Sequence, residues 1–302
     1  MPLPANLLAA AVNGPMTTQS LATLLKKYNL RPRKSLGQNF LADPFHLAKI
    51  VEAAELTPHD TVLEIGPGPG LLTRLLVEAA GQVIAVELDP NLVYLLRTEL
   101  GHLNNLTIIE ADILQVPLDI SRGDPTPPSP FPLSTPYKVV ANLPYYITSA
   151  VIRHVLEGKT RPERVVVTVQ KEVAQRMVAG PGKMSLLAVS VQFYGRPKLV
   201  HHIPAGAFYP PPKVDSAVVR IDTWPELPLA EVEVEHFFGV VKAGFGQKRK
   251  QLKNALAAGL HRPMPAIIAA MAQAKIEPAR RAQTLSLAEW GRLAEALAER
   301  SA

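Results

Sequence analysis

Residues 61–73 read TVLEIGPGPGLLT. A short apolar run, Thr61–Ile65, stops at a cluster of glycines, and a helical pattern starts at Leu71. Strand, tight turn and helix in that order open a βαβ unit. The next stretch, QVIAVELDP at 82–90, repeats the theme: an apolar run, an acid, then a helix. Leu106–Glu110, Tyr137–Ala141 and Arg164–Gln170 are further short β-branched runs. Helices are predicted at Pro44–Ala54, Leu71–Ala79, Asn91–Leu100, Ser149–Glu157 and Lys171–Val178. Such alternation implies a parallel sheet with helices on both faces. Lys198–Ile203 and Ser216–Ile221 add two strands with no helix pattern between them, so they are expected to form an antiparallel pair. The expectation is an α/β fold with a seven-stranded, doubly wound, Rossmann-like sheet.

Past Trp224–Pro228, which reads as a linker, the pattern is wholly helical: Val232–Gly244, Arg249–Ala258, Pro265–Ala272 and Leu287–Arg300. The expected division is an N-terminal extension at 1–30, the α/β domain at 31–224 and a small helical domain at 225–302. Ser121–Pro136 holds six prolines and is read as an exposed loop insertion. Leu3–Val12 is apolar but lacks a basic leader, so it is read as a helix rather than a signal peptide.

No run approaches the length of a membrane span. There is no cysteine, which removes disulfides, zinc–thiolate sites and thiol nucleophiles and suits a cytoplasmic protein. No metal site is predicted. The formal charge of +6 is uneven: residues 1–42 carry +5, residues 43–239 carry −6 and residues 240–302 carry +7. Two basic ends around an acidic body fit a polyanion held at the ends, though a basic helix face is often only solvated surface.

In open α/β sheets ligands sit beyond the carboxyl ends of the strands. The first such end is Gly66-Pro67-Gly68-Pro69-Gly70, where the backbone can turn tightly and approach a ligand. The third glycine comes one residue too early for a dinucleotide fingerprint, so a pyrophosphate ligand is disfavoured. Glu87 ends the second strand, 21 residues after Gly66, where an acid can accept from both hydroxyls of a ribose. Asp112 follows the third strand, where it can accept from an adenine amine. Each acid alone could be a surface charge or a helix cap, and Asp89 is assigned only to capping the helix that starts at Pro90. Together the three strand ends point to S-adenosylmethionine, an adenosine without phosphates.

The fourth strand end is Asn142-Leu143-Pro144-Tyr145. An exocyclic base amine is a poor nucleophile because its lone pair is delocalised into the ring. An amide oxygen and a backbone carbonyl can accept its two hydrogens, aim the lone pair and stabilise the developing charge. Proline has no hydrogen to donate, and an aromatic can stack on an extruded base. The alternative is a helix-capping asparagine with core aromatics.

Pro32–Leu41 (PRKSLGQNFL), VLEIGPGPGLLT, VIAVELDP, ANLPYYITSAVI, Gln170–Arg176, Phe208–Ser216 and Phe245–Asn254 together resemble the ribosomal RNA adenine dimethyltransferases of the KsgA type. The resemblance spans roughly residues 28 to 300. It implies a class I S-adenosylmethionine-dependent methyltransferase that dimethylates two adjacent adenosines in a hairpin loop near the 3′ end of small-subunit rRNA. It places cofactor contacts at Asn39, Leu41, Gly66, Gly68, Glu87, Asp112 and Asn142. It assigns the catalytic loop to Asn142, Leu143, Pro144, Tyr145 and Tyr146, with the target adenine between one of the tyrosines and Phe208. Read from its neighbours alone, Phe208 could equally be a packed loop aromatic. Arg33, Lys34, Lys248, Arg249, Lys250 and Lys253 are the expected RNA contacts, the last four on a basic helix. The expected partner is small-subunit rRNA or the immature subunit, met by a monomer.

Three other readings share some of these features. A resistance-type methyltransferase would act on large-subunit rRNA, and a ribosome-assembly or transcription factor would use the fold only to bind RNA. A protein-amide methyltransferase would use a similar asparagine–proline loop, which the basic ends disfavour.

Overall fold

A computed structural model describes residues 18–118, 136–227 and 233–298. The apolar stretch Leu3–Val12, most of the proline-rich insertion and the last residues of the chain lie outside the described residues. The chain divides into two compact units, one of residues up to Ala174 with Arg196–Thr223, the other of Gln175–Gly195 with Trp224 onward.

The first unit is built on a seven-stranded sheet. Its strands are β2 (Thr61–Ile65), β3 (Gln82–Glu87), β4 (Leu106–Glu110), β5 (Tyr137–Asn142), β6 (Arg164–Gln170), β7 (Gly195–Ile203) and β9 (Ser216–Thr223). Their order across the sheet is β4-β3-β2-β5-β6-β9-β7. Pairing is parallel from β4 to β6 and antiparallel between β6 and β9. The central strands are buried along almost their whole length because helices cover both faces. Those helices include α2 (Pro44–Ala54), α3 (Leu71–Ala79), α4 (Pro90–Leu100) and α5 (Thr148–Glu157). From β2 the chain winds outward through β3 to β4, then returns to β5 and winds the other way. The reversal lies between β2 and β5, and a crevice opens at their carboxyl ends.

A second, two-stranded sheet lies beside this crevice, which its residues Phe40 and Leu41 help to line. In it β1 (Phe40–Leu41) pairs antiparallel with β8 (Phe208–Tyr209). Strands of two residues leave no periodicity to read. Helix α1 (Thr18–Lys27) precedes them, and Leu21 and Leu25, one turn apart, are buried in the main core with Phe40, Leu41 and Phe208. So α1, within the expected extension at 1–30, contributes Leu21 and Leu25 to this unit's core.

Helix α6 (Lys171–Met177) spans the boundary between the units. In the second unit α7 (Leu186–Tyr194) packs on α8 (Val234–Phe245) and α11 (Leu287–Leu297), while α9 (Leu252–Leu260) packs on α8 and α10 (Met264–Gln273) and α10 on α11. Phe193 stacks on Phe237 at 4.7 Å and Tyr194 on Phe238 at 5.9 Å. These rings explain why residues 175–195 group with the C-terminal helices rather than with the α/β residues around them in sequence. Helix α7 reads LLAVSVQFY, apolar on every side, so it shows no amphipathic stripe. Helix α11 starts with a capping box, in which Ser286 and Glu289 satisfy each other's backbone amides. Arg280 holds the same Glu289, whose carboxyl is pulled down to about 2.

Truncating Leu21, which has no exposed surface, should destabilise the α/β unit if α1 belongs to its core. Leu21→Ala is expected to cost about 2–5 kcal/mol. A urea titration of the variant with an unchanged midpoint would return α1 to the status of an appendage.

Candidate active site

Gly66 follows β2 directly, with φ at +67°, a conformation that L side chains seldom adopt. A Cβ there would meet nothing nearer than Pro144 Cδ at 3.9 Å. The absent side chain therefore leaves room for a ligand to reach the backbone. It also shows that the first and fourth strand-end loops face each other. The cleft between them holds about 1000 Å³ of unfilled space, part of it open to solvent.

Two buried carboxyls sit at this end of the sheet, and they differ in how they are hydrogen-bonded. Glu87 is 7% exposed and held by three backbone amides: its Oε2 accepts from Gly68 at 3.0 Å, and its Oε1 accepts from Leu88 and Asp89, each at 2.9 Å. Burial pushes this carboxyl up, while the amides of Asp89, Gly68 and Leu88 pull against that. The carboxylate has about four lone-pair sites and spends three on the amides, so it is oriented yet still able to accept. Glu64, in the middle of the first motif, is 1% exposed and lines the cleft. Its Oε2 has no hydrogen-bond partner among the described residues. Burial pushes the Glu64 carboxyl up to about 8, so it is largely protonated at neutral pH. The Thr73 side chain beside it pulls the other way. The oxygen left unpaired is costly, and a cationic ligand group would relieve it. Glu64 escapes the sequence reading because it sits inside the strand; the available signal is an acid in an otherwise apolar, wholly buried run.

Asp112 caps a short turn, Ile113–Gln115, and its Oδ1 accepts from Leu114 at 3.0 Å. It lines the same cleft as Glu87. Asp89 has the capping role expected of it, accepting from the Asn91 amide at the start of α4.

The segment before β1 closes the cleft from above. Gln38 accepts from the Arg33 amide at 2.7 Å and donates to Asp89 at 3.0 Å. Asn39 and Leu41 both line the cleft. The Asn39 carbonyl accepts from the Asn142 side-chain nitrogen at 3.3 Å. That bond turns the Asn142 Oδ1 toward whatever enters. In the same loop Pro144 O already accepts from Ile147 at 3.3 Å and from the Thr148 hydroxyl at 3.2 Å. The carbonyl left to work beside the amide is therefore that of Leu143, whose own amide is tied to Thr168 at 3.2 Å.

The aromatics take three different places. The Tyr145 hydroxyl bonds Ser216 Oγ at 2.7 Å, and burial pushes its phenol up, so it is neutral. Tyr146 is 59% exposed at the cleft mouth. Its ring lies against Gly37, where a Cβ would come within 3.0 Å of Cδ1 and φ is +59°. Phe208 does not line the cleft; it is 2% exposed and paired with Leu41 in the core. The expected clamp of a tyrosine against Phe208 is thus not preformed, because β1–β8 pairing turns that ring inward.

The basic residues also differ from expectation. Lys248, Arg249 and Lys250 are exposed but lie in the turn after α8, and only Lys253 is on α9. The helix starts at Leu252, the first residue of the segment that the core buries. Arg33 is partly engaged with Asp89 at 3.5 Å, whereas Lys34 is exposed.

Fold and strand ends together define a class I methyltransferase dependent on S-adenosylmethionine. Residues 29–299 match the ribosomal RNA adenine dimethylase family. A ribosomal RNA small subunit methyltransferase A of Dehalococcoides mccartyi is 49% identical over 281 residues, covering 93% of this chain and 94% of its own. One of Pelotomaculum thermopropionicum is 42% identical over 275 residues, 90% of this chain and 93% of its own. Among solved structures, the 23S rRNA methyltransferase ErmE superimposes with a TM-score of 0.64 at 31% identity, over 86% of this chain and 99% of its own. A dimethyladenosine transferase of Plasmodium falciparum shares the fold with a TM-score of 0.68 at 23% identity, over 84% of this chain and 95% of its own. The chain belongs to the ribosomal RNA adenine dimethylase family and is an rRNA methyltransferase. Among the described residues no helix is long and apolar enough to cross a membrane.

The burial of Glu64 has a measurable consequence. Between its ordinary value of 4.5 and about 8, the unfolded chain has released this proton while the folded chain keeps it. Stability contributed by Glu64 is therefore full below about 4.5 and declines as pH rises toward about 8. Glu64→Gln removes that slope, so its stability relative to the parent should rise across the window by a few kcal/mol. Chemical denaturation at pH 5 and pH 8 reads the difference, and a gap independent of pH would mean that Glu64 is ionised in the folded protein.

Proposed function

We propose that this protein dimethylates the N6 amines of two adjacent adenosines in the 3′-terminal hairpin loop of small-subunit rRNA. It would do so as a cytoplasmic monomer acting on the immature subunit. The observation that carries the proposal is the Asn142 amide, anchored by the Asn39 carbonyl and facing the cleft that Glu87, Asp112 and Gly66 line.

The residues present fit the cofactor. Glu87 would take a ribose hydroxyl with its remaining lone-pair site, Asp112 the adenine amine and the Gly66–Gly68 backbone the close approach, with Asn39 and Leu41 above. Glu64, with its Oε2 unpaired, suits the cationic end of the molecule. S-adenosylmethionine supplies an electrophilic methyl group on a sulfonium. The chain's own task is to make the base amine attack it. Asn142 Oδ1 and the Leu143 carbonyl accept the two amine hydrogens, which turns the lone pair out of conjugation. The same two oxygens stabilise the positive charge that grows on nitrogen as the new N–C bond forms, before a proton leaves. Pro144 keeps a competing N–H out of the loop, and Tyr146 offers an exposed ring at the mouth on which the base can stack.

The choice of small-subunit rRNA is supported by relatives at 42–49% identity that carry that name, against 31% for the 23S enzyme. Purified protein should methylate unmethylated small subunits in preference to large subunits. Transfer to large subunits instead would favour the resistance-type reading, and RNA binding without transfer would favour the assembly factor.

Asn142→Ala should lower the single-turnover methyl-transfer rate by roughly 10²–10³ while cofactor binding stays measurable. A near-normal rate would remove Asn142 from the amine-orienting role. Glu87→Ala should weaken cofactor affinity about tenfold or more, because a charged acceptor is worth about 1.5–3 kcal/mol. Calorimetry that returned an unchanged affinity would place Glu87 outside the pocket.

A further inference from the structure

The α/β unit carries an aromatic cluster that the methyl-transfer site does not use. Phe45, in the first turn of α2, is 60% exposed. Its ring stands edge-on to His46 and His201, with centroids at 5.3 and 5.7 Å. Those two imidazoles are themselves joined, His46 Nδ1 to His201 Nε2, at 2.8 Å. The Lys49 ammonium lies 5.8 Å from the Phe45 ring centre. A single exposed apolar side chain needs no explanation. This one is different because two rings and a cation hold it in a fixed orientation while most of its surface stays open.

Its place in the fold ties it to the cleft. Leu41, four residues before Phe45, and Leu47, two residues after it, both line the cleft. Consecutive Cα atoms are 3.8 Å apart, so Phe45 lies within about 15 Å of Leu41. His201 is near the end of β7, which leads through the Pro204–Ala207 turn into β8, the strand paired with β1. Both halves of the cluster therefore sit on segments that lead into the site, α2 directly after β1 and β7 directly before its partner β8.

The charged side chains beside the cluster are each engaged. Lys49 is paired with Glu52 at 2.7 Å, and Asp43 caps α2 by accepting from the Phe45 and His46 amides. His202, next in the strand, is paired with Asp215 at 3.1 Å. Burial lowers both His46 and His201, which favours their neutral forms. The cluster thus offers a π surface rather than a net charge. Unpaired bases of RNA loops are recognised by stacking on such rings, whereas phosphates are recognised by cations.

We propose that Phe45, braced by His46 and His201, is a stacking platform for an unpaired base of the RNA substrate that flanks the target adenosine. This rests on the rRNA-methyltransferase reading above. The test uses the full-length chain with unmethylated small subunits. Phe45→Ala should weaken substrate binding about tenfold. Its affinity for S-adenosylmethionine, its melting temperature and its salt dependence of substrate binding should match the parent, because no phosphate contact is lost. Phe45→Trp should bind like the parent, and its added fluorescence should be quenched by the substrate. A photo-cross-linking residue at position 45 should capture rRNA. Unchanged affinity in the alanine variant, an unresponsive tryptophan or cross-links to ribosomal protein alone would each overturn the platform. If the parent protein methylates the subunit normally in those cases, only the platform falls. If the parent transfers no methyl group to it, the functional reading falls as well.

Discussion

The parallel pairing of β2 with β5, from Thr61 opposite Tyr137 to Glu64 opposite Val140, is the contact on which the site depends. These strands are far apart in sequence and adjacent in space because the chain winds outward twice from the same centre. Their pairing brings the Gly66 turn opposite the Asn142–Pro144 loop. Without that register, Glu87 and Asp112 would still line the ends of β3 and β4, but nothing would face them. The strand order thus sets the distance between the residues suited to a nucleoside and those suited to a base amine.

Around that contact the protein sorts its polar groups by how each is satisfied. Glu87 is buried with three amides aimed at it, and Asn142 is oriented by one carbonyl, so both arrive in the cleft preset. Glu64 is buried with an oxygen left over, which makes it the strained member of the set. Preset donors and acceptors are what a low-dielectric site needs to stabilise a developing charge, because they require no reorganisation when the reaction occurs. The segment 33–41 supplies much of this order: Gln38 ties it to Asp89 and Asn39 ties it to Asn142.

Most of the architecture is readable in the sequence, for a physical reason. Buried parallel strands read as apolar runs, and Thr61–Ile65, Gln82–Glu87 and Arg164–Gln170 end where those runs end, as does the half-buried edge strand Leu106–Glu110. The residues at the strand ends are equally readable, since position on the sheet limits what an acid or glycine there can do. Helix α7 is not, because a helix apolar on all sides has no stripe to betray its partner. The two-residue strands β1 and β8 are too short for any pattern, and their pairing is what buries Phe208 away from the cleft. Lys248–Lys250 read as the start of the next helix because nothing local forbids it; the core sets the start at Leu252 by burying that side chain. Glu64 is hidden for the opposite reason: what marks it is one buried oxygen left unpaired, which sequence does not display.

In the proposed mechanism a base amine is the group that Asn142 and Leu143 orient. Mass spectrometry of the nuclease fragments and nucleosides of small-subunit rRNA, before and after exhaustive reaction with the purified protein, tests this directly. The expected product is N6,N6-dimethyladenosine at two adjacent positions of the 3′-terminal hairpin. A methyl group on a ring carbon, a ribose or any base other than adenine would contradict it.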